Sequence, residues 1–127
     1  MVRYHLLALA SGVVDRLYWW QLAAKGYGLI DHTDMSKSKA FYAYKFMLSL
    51  LKDAYFISLE ELDGVYNVKF YKEEVGDIDI YWCNKCDDVD DGFINIQPNK
   101  RYYNVYGESI EAPDITMSPV YVVPLKE

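Results

Sequence analysis

The stretch Val14–Ile30, reading VDRLYWWQLAAKGYGLI, places the tightest constraint on what this chain can fold into. It opens with β-branched and aromatic residues and carries Trp19, Trp20 and Gln21. It then passes through Gly26 and Gly28 into Leu29-Ile30-Asp31. Val13 to Leu22 has apolar side chains on both faces, the signature of a strand covered on each side. Tryptophans are costly to expose and large enough to form a pocket wall. Two at the end of a strand either fill a core or stack on a flat apolar ligand face, such as that of a sugar ring. Alternation sends the two indoles to opposite sides of the strand.

The flanks predict helices. Leu6, Leu7, Ala8, Leu9 and Ala10 are good helix formers, and Gly12 sits where a C′ glycine ends a helix. A short apolar run after Arg3 has some features of an export signal, but Tyr4 and His5 interrupt it and an amphipathic helix is the better account. The lack of a clear export signal favours an intracellular setting. Ser36 or Ser38 can cap a second helix running to about Asp53. Its Ala40, Phe41, Tyr44, Met47, Leu48 and Leu51 follow the i, i+3, i+4, i+7 pattern of a core-facing stripe.

Beyond Asp53 the period becomes two. Tyr66, Val68 and Phe70 alternate with Asn67 and Lys69, and Ile78, Ile80 and Trp82 alternate with Asp79 and Tyr81. Lys72 to Gly76 between them reads as a hairpin turn. Short runs at Phe93–Ile96, Tyr102–Tyr106 and Val120–Val123 are punctuated by glycines and prolines. The expected class is α+β: a helix-strand-helix segment over residues 1–53, packed on an antiparallel β-sandwich or sheet over 54–127.

Charge narrows the partners. With 13 Lys plus Arg against 19 Asp plus Glu, the net charge of -6 opposes a phosphate-rich partner, so nucleic acid is not expected. No apolar run approaches the roughly 20 residues that cross a bilayer, so no membrane span is expected.

The order of helix, Gly12, Val14-Asp15-Arg16-Leu17-Tyr18-Trp19-Trp20-Gln21-Leu22, then Gly26-Tyr27-Gly28-Leu29-Ile30-Asp31, then a helix with Ala40-Phe41-Tyr42-Ala43-Tyr44-Lys45, resembles the last part of a TIM-barrel glycoside hydrolase of clan A type. The resemblance implies a seventh helix, an eighth strand bearing a tryptophan, a loop and an eighth helix. The Trp82 strand, the Val105-Tyr106-Gly107-Glu108 turn and Ser118-Pro119-Val120-Tyr121-Val122 look like the β-sandwich that often follows such barrels. Enzymes of that clan use two glutamates on the fourth and seventh strands, both ahead of the matched part, so the resemblance implies no catalytic residue in this chain. It implies that Trp19 or Trp20, with Gln21, faces a sugar, and that His32 lies in a loop at the barrel mouth. A parallel barrel strand needs a neighbour on each edge. The segment Val14–Leu22 is therefore expected to repack on the β domain, pair across a homo-oligomer, or dock on a separate chain that completes the barrel.

Other patterns carry less. Trp82-Cys83-Asn84-Lys85-Cys86 copies a thioredoxin-like redox site, but the following Asp87-Asp88-Val89-Asp90-Asp91 has no helical stripe and puts carboxylates where they would raise a thiol pKa. A local hairpin with free thiols or a disulfide is expected there. Two cysteines with distant His5 and His32 do not make a zinc site, and Asp87–Asp91 does not fit an EF-hand loop. Neither metal nor cofactor is expected. Glu60 and Glu61 are adjacent, so on a strand they point to opposite faces. The alternative to a carbohydrate-active segment is a protein-interaction or scaffolding module, using the tyrosine-rich sheet as its surface.

Overall fold

A computed structural model of the chain describes residues 1–84, 86, 96–111 and 113–125. It is α+β: helices α1 (Val2–Ala10) and α2 (Lys39–Leu51), then strands β1 (Tyr55–Leu62), β2 (Val65–Lys72), β3 (Gly76–Cys83), β4 (Lys100–Tyr103), β5 (Ser109–Ile110) and β6 (Val120–Pro124). The strands form one antiparallel sheet in the order β1-β2-β3-β6-β4-β5. The acidic run Asp87–Asp91, and Phe93 to Asn95 of the expected strand there, lie outside the described residues.

Local chemistry explains the elements. Ser38 caps α2, its hydroxyl accepting from the Phe41 amide at 3.3 Å. Gly12 follows the Ser11 C-cap of α1 with φ +68°, the left-handed conformation that glycine adopts at least cost. Asp63-Gly64 turns β1 into β2 with both residues at positive φ and Leu62 opposite Val65, the two-residue hairpin that Asp-Gly favours. Lys72 pairs with Gly76 across the next turn, as the alternation of the two strands predicts.

Because side chains alternate, one face of the sheet is apolar. Val68 and Phe70 of β2, Ile78, Ile80 and Trp82 of β3, and Tyr121 and Val123 of β6 form a single core with Val2 and Leu6 of α1 and Ala43 and Met47 of α2. Burying each large side chain there stabilises the fold by about 1.5–3 kcal/mol. Trp82 lies parallel to Tyr66, ring centroids 5.3 Å apart, and Phe46 meets Tyr121 edge-on at 5.1 Å. The buried stripe of α2 therefore runs through Ala43, Met47 and the half-buried Phe46 and Leu50, whereas Leu48 is exposed. Helices precede residue 54 and strands follow it, and the core joins them.

The strand expected over Val13–Leu22 is not formed. Among the described residues, no backbone hydrogen bond is made by 14–21. Strand propensity reports fitness for a paired, half-buried surface and not an intrinsic backbone preference. No strand within the described residues pairs with this segment. The β pairing in the connection between α1 and α2 amounts, among the described residues, to single bridges, Ala23 with Ile30 and Ile30 with Lys37. The helix-strand-helix segment is thus helix, irregular connection and helix.

Candidate functional site

The connection between the helices presents the tryptophans. Trp20 is 86% exposed, and Tyr18 and Leu22 on the same phase are exposed as well, while Leu17 and Trp19 are half-buried. Exposure thus alternates over Leu17–Trp20 without any ladder, and the alternation ends at Gln21, which is exposed like its neighbours Trp20 and Leu22. Trp19 is tethered inward: its ring lies 6.1 Å from that of His5, which is buried and 4.9 Å from Tyr44. His5 donates from Nδ1 to the Met1 carbonyl at 3.1 Å, which leaves buried Nε2 without a partner among the described residues.

The chain then closes a compact loop. Leu29 and Ile30 donate to the Leu22 carbonyl, each at 2.9 Å, and Ala24 donates to Ile30 at 3.0 Å, with Leu29 buried beneath. A Cβ on Gly28 would run into the Ala24 backbone, so only glycine fits there. Asp31 accepts from the Thr33 amide at 2.8 Å, and Asp34 from the Ser36 amide at 2.8 Å. Hydrogen bonds from Thr33, side chain first, hold the Asp31 carboxyl below its ordinary 3.8, and those from Ser36 do the same for Asp34. His32 sits exposed on this loop, as does Gln21 ahead of it. Trp19, Trp20, Gln21 and His32 share the α1–α2 connection.

A second arrangement lies on the sheet face away from the helices. The register sets Asn67 opposite Tyr81, Lys69 opposite Asp79, Asp79 opposite Val122, and Val122 opposite Tyr102. These side chains, with Lys100, line a groove of about 490 Å³, within the roughly 300–1,000 Å³ range of small-molecule clefts. Asp79 is only 8% exposed and lies 3.6 Å from Lys69 Nζ and 3.9 Å from Lys100 Nζ. Both separations exceed ordinary hydrogen-bond length. Asn67 donates to the Tyr81 hydroxyl at 3.3 Å, while its buried Oδ1 has no partner among the described residues. Burial, then the Asp79 and Glu60 carboxylates, push the Tyr81 hydroxyl above its ordinary 10.0, so it keeps its proton at neutral pH. The polar phase of β2 and β3 was visible in the sequence. That Lys100 joins it was not, since this depends on β6 standing between β3 and β4.

The remaining candidates resolve simply. Cys83 and Cys86 are joined in a disulfide, with Cys83 fully buried at the end of β3 and Cys86 half-buried, which leaves Cys86 as the sulfur that an incoming thiolate reaches. Glu60 stands opposite Asn67 and Glu61 opposite Tyr66, so the two carboxylates occupy different faces of β1.

No family model matches the chain, and no curated protein matches it. Its fold is similar to part of a solved structure described as a family 39 glycoside hydrolase from the gut symbiont Bacteroides cellulosilyticus WH2, with a TM-score of 0.77 and 17% identity. The similarity covers 96% of this chain and 29% of that one, so the chain spans under a third of the glycosidase's length. The two helices and the antiparallel sheet thus form a glycoside hydrolase-like segment in fold.

Proposed function

We propose that the chain is the C-terminal segment of a clan A type glycoside hydrolase-like protein whose catalytic glutamates lie on other strands. On its own it is not a catalyst. It contributes a sugar-stacking tryptophan from the α1–α2 connection and an accessory sheet. One observation carries the reading: Tyr18 and Trp20 stand in solvent with Leu17 and Trp19 turned inward along an unpaired stretch, in a fold whose glycosidase counterpart is over three times longer. Such alternation has the side-chain period of a strand and lacks only an edge to pair with.

On this reading Val14–Leu22 forms a barrel strand when the rest of a barrel is present. Trp20, 86% exposed, faces the sugar, and Gln21 and His32 stand near it at the barrel mouth. A second copy of the chain is the other available edge. The scaffolding alternative is left with Tyr55 and Tyr71 as the exposed tyrosines of the described strands, since Tyr121 and Tyr102 are buried and Tyr66 stacks on Trp82.

Hydrogen exchange on amides 14–21 tests this. They should exchange rapidly in the chain alone and become protected when it is co-expressed with a family 39 glycosidase barrel lacking its last helix-strand-helix. Recovery of both polypeptides uncomplexed, with these amides still exchanging freely, would sink the reading.

A further inference from the structure

We propose that the groove on the helix-free face of the sheet binds a neutral oligosaccharide, as a second sugar site separate from the Trp20 loop. Only the choice of xylo- and gluco-oligosaccharides as probes rests on the function proposed above.

The groove has acceptors in want of donors. A buried amide oxygen without a partner costs free energy, and Asn67, which lines the groove, holds its enclosed Oδ1 in that state among the described residues. Asp79 adds two carboxylate oxygens whose lysines stand at 3.6 and 3.9 Å, too far to occupy their lone pairs fully. A ligand with adjacent hydroxyl donors satisfies both groups.

The groove also has donors to return. The Tyr81 hydroxyl already accepts from Asn67, so its own proton is free to donate, and Lys69 and Lys100 supply ammonium groups. Apolar surface comes chiefly from the half-buried Tyr81 ring, with buried Val122 beneath the groove. A pyranose carries that same combination, an apolar C–H face within a rim of hydroxyls that each donate and accept.

Charge selects a neutral ligand. Lys69 and Lys100 are matched by Asp77 and Asp79 along the groove, and the chain as a whole carries -6. An anion would meet Asp79 at the centre of the site and gain nothing from the surrounding field. Four strands hold the groove in place, so little ordering is needed on binding.

Two-dimensional NMR of the 15N-labelled chain, with calorimetry, tests the site using xylohexaose and cellohexaose at roughly 10 mM, above the millimolar dissociation constant expected of a shallow cleft. One or both sugars should shift the Asn67 and Gln97 side-chain amides saturably. Asn67→Leu and Asp79→Asn should each weaken binding about tenfold. Trp20→Ala should leave these shifts unchanged, which separates this site from the loop. Asn67→Leu loses the bond to Tyr81 together with the orphaned Oδ1, two effects of opposite sign, and urea denaturation of the variant checks that it is folded. Shifts confined to residues 19–21 would overturn the groove site while leaving the Trp20 reading intact. No shifts with either sugar, undiminished binding by folded Asn67→Leu, or shifts of the same amides by inorganic phosphate would each overturn it as well.

Discussion

Lys69 and Asp79 face each other in register across β2 and β3, Nζ 3.6 Å from Oδ1, with Asp79 enclosed and Lys69 partly in water. The two ends of this pair should therefore respond differently to truncation. Lys69→Ala removes a partly solvated charge and should cost under about 1 kcal/mol. Asp79→Ala strips both Lys69 and Lys100 of their counter-charge and should cost about 1–3 kcal/mol. Urea denaturation of the two variants measures the difference, and equal losses would contradict the asymmetry.

Gly107 closes the turn after β4, donating to the Asn104 carbonyl at 3.0 Å with φ +87°. A Cβ there would enter the Phe46 ring, the same ring that packs edge-on against Tyr121. Gly107→Ala should cost about 2–4 kcal/mol from the backbone conformation and the overpacking together. A loss below about 0.5 kcal/mol, the scale of an ordinary surface change, would mean that this contact is absent in solution.

Tyr121 is fully buried, with a hydroxyl that has no partner among the described residues, and burial raises its pKa well above the ordinary 10.0. The unfolded chain loses this proton near pH 10 while the folded chain retains it. The native state therefore binds more protons, and stability must fall as pH rises beyond that point. Tyr121→Phe should flatten the alkaline limb of the stability profile and, at neutral pH, match or exceed the parent. Tyr66 and Tyr81, whose pKa values burial also raises, should keep part of the alkaline loss. A steeper alkaline limb in Tyr121→Phe would reverse the argument.

Reducing Cys83–Cys86 opens a short loop, with a sequence separation of 3. The chain-entropy relation gives about 2 kcal/mol for so small a ring. Thermal unfolding with and without dithiothreitol should register that loss while far-ultraviolet circular dichroism is preserved, since β3 is held by β2 and β6. Collapse of the sheet on reduction would assign the bridge a larger role.

The strongest periodic signals in the sequence correspond to elements whose partners are nearby. The α2 stripe and the alternation of β2 and β3 fit this pattern, although Phe46 and Leu50 take the place expected of Leu48. β1 is hard to read from the sequence because its residues Tyr55–Leu62 do not alternate cleanly, and its one local signal is the Asp63-Gly64 turn. Val13–Leu22 failed for the opposite reason. Its local preference is that of a strand, but a ladder is a property of two segments and the second is absent from the described residues. Asn67, Asp79 and Lys100 could be read only as a polar phase, since the strand order that assembles them is not local information.

The account centres on Trp20 as a sugar platform, and fluorescence titration with xylo- and gluco-oligosaccharides reads it most directly. Trp82 is buried and Trp19 rests near His5, so Trp20 supplies the solvent-exposed, red-shifted emission. Saturable quenching at roughly millimolar sugar, abolished in Trp20→Phe, is the expected result. An unchanged spectrum with both sugar series, or quenching that persists in Trp20→Phe, would contradict it.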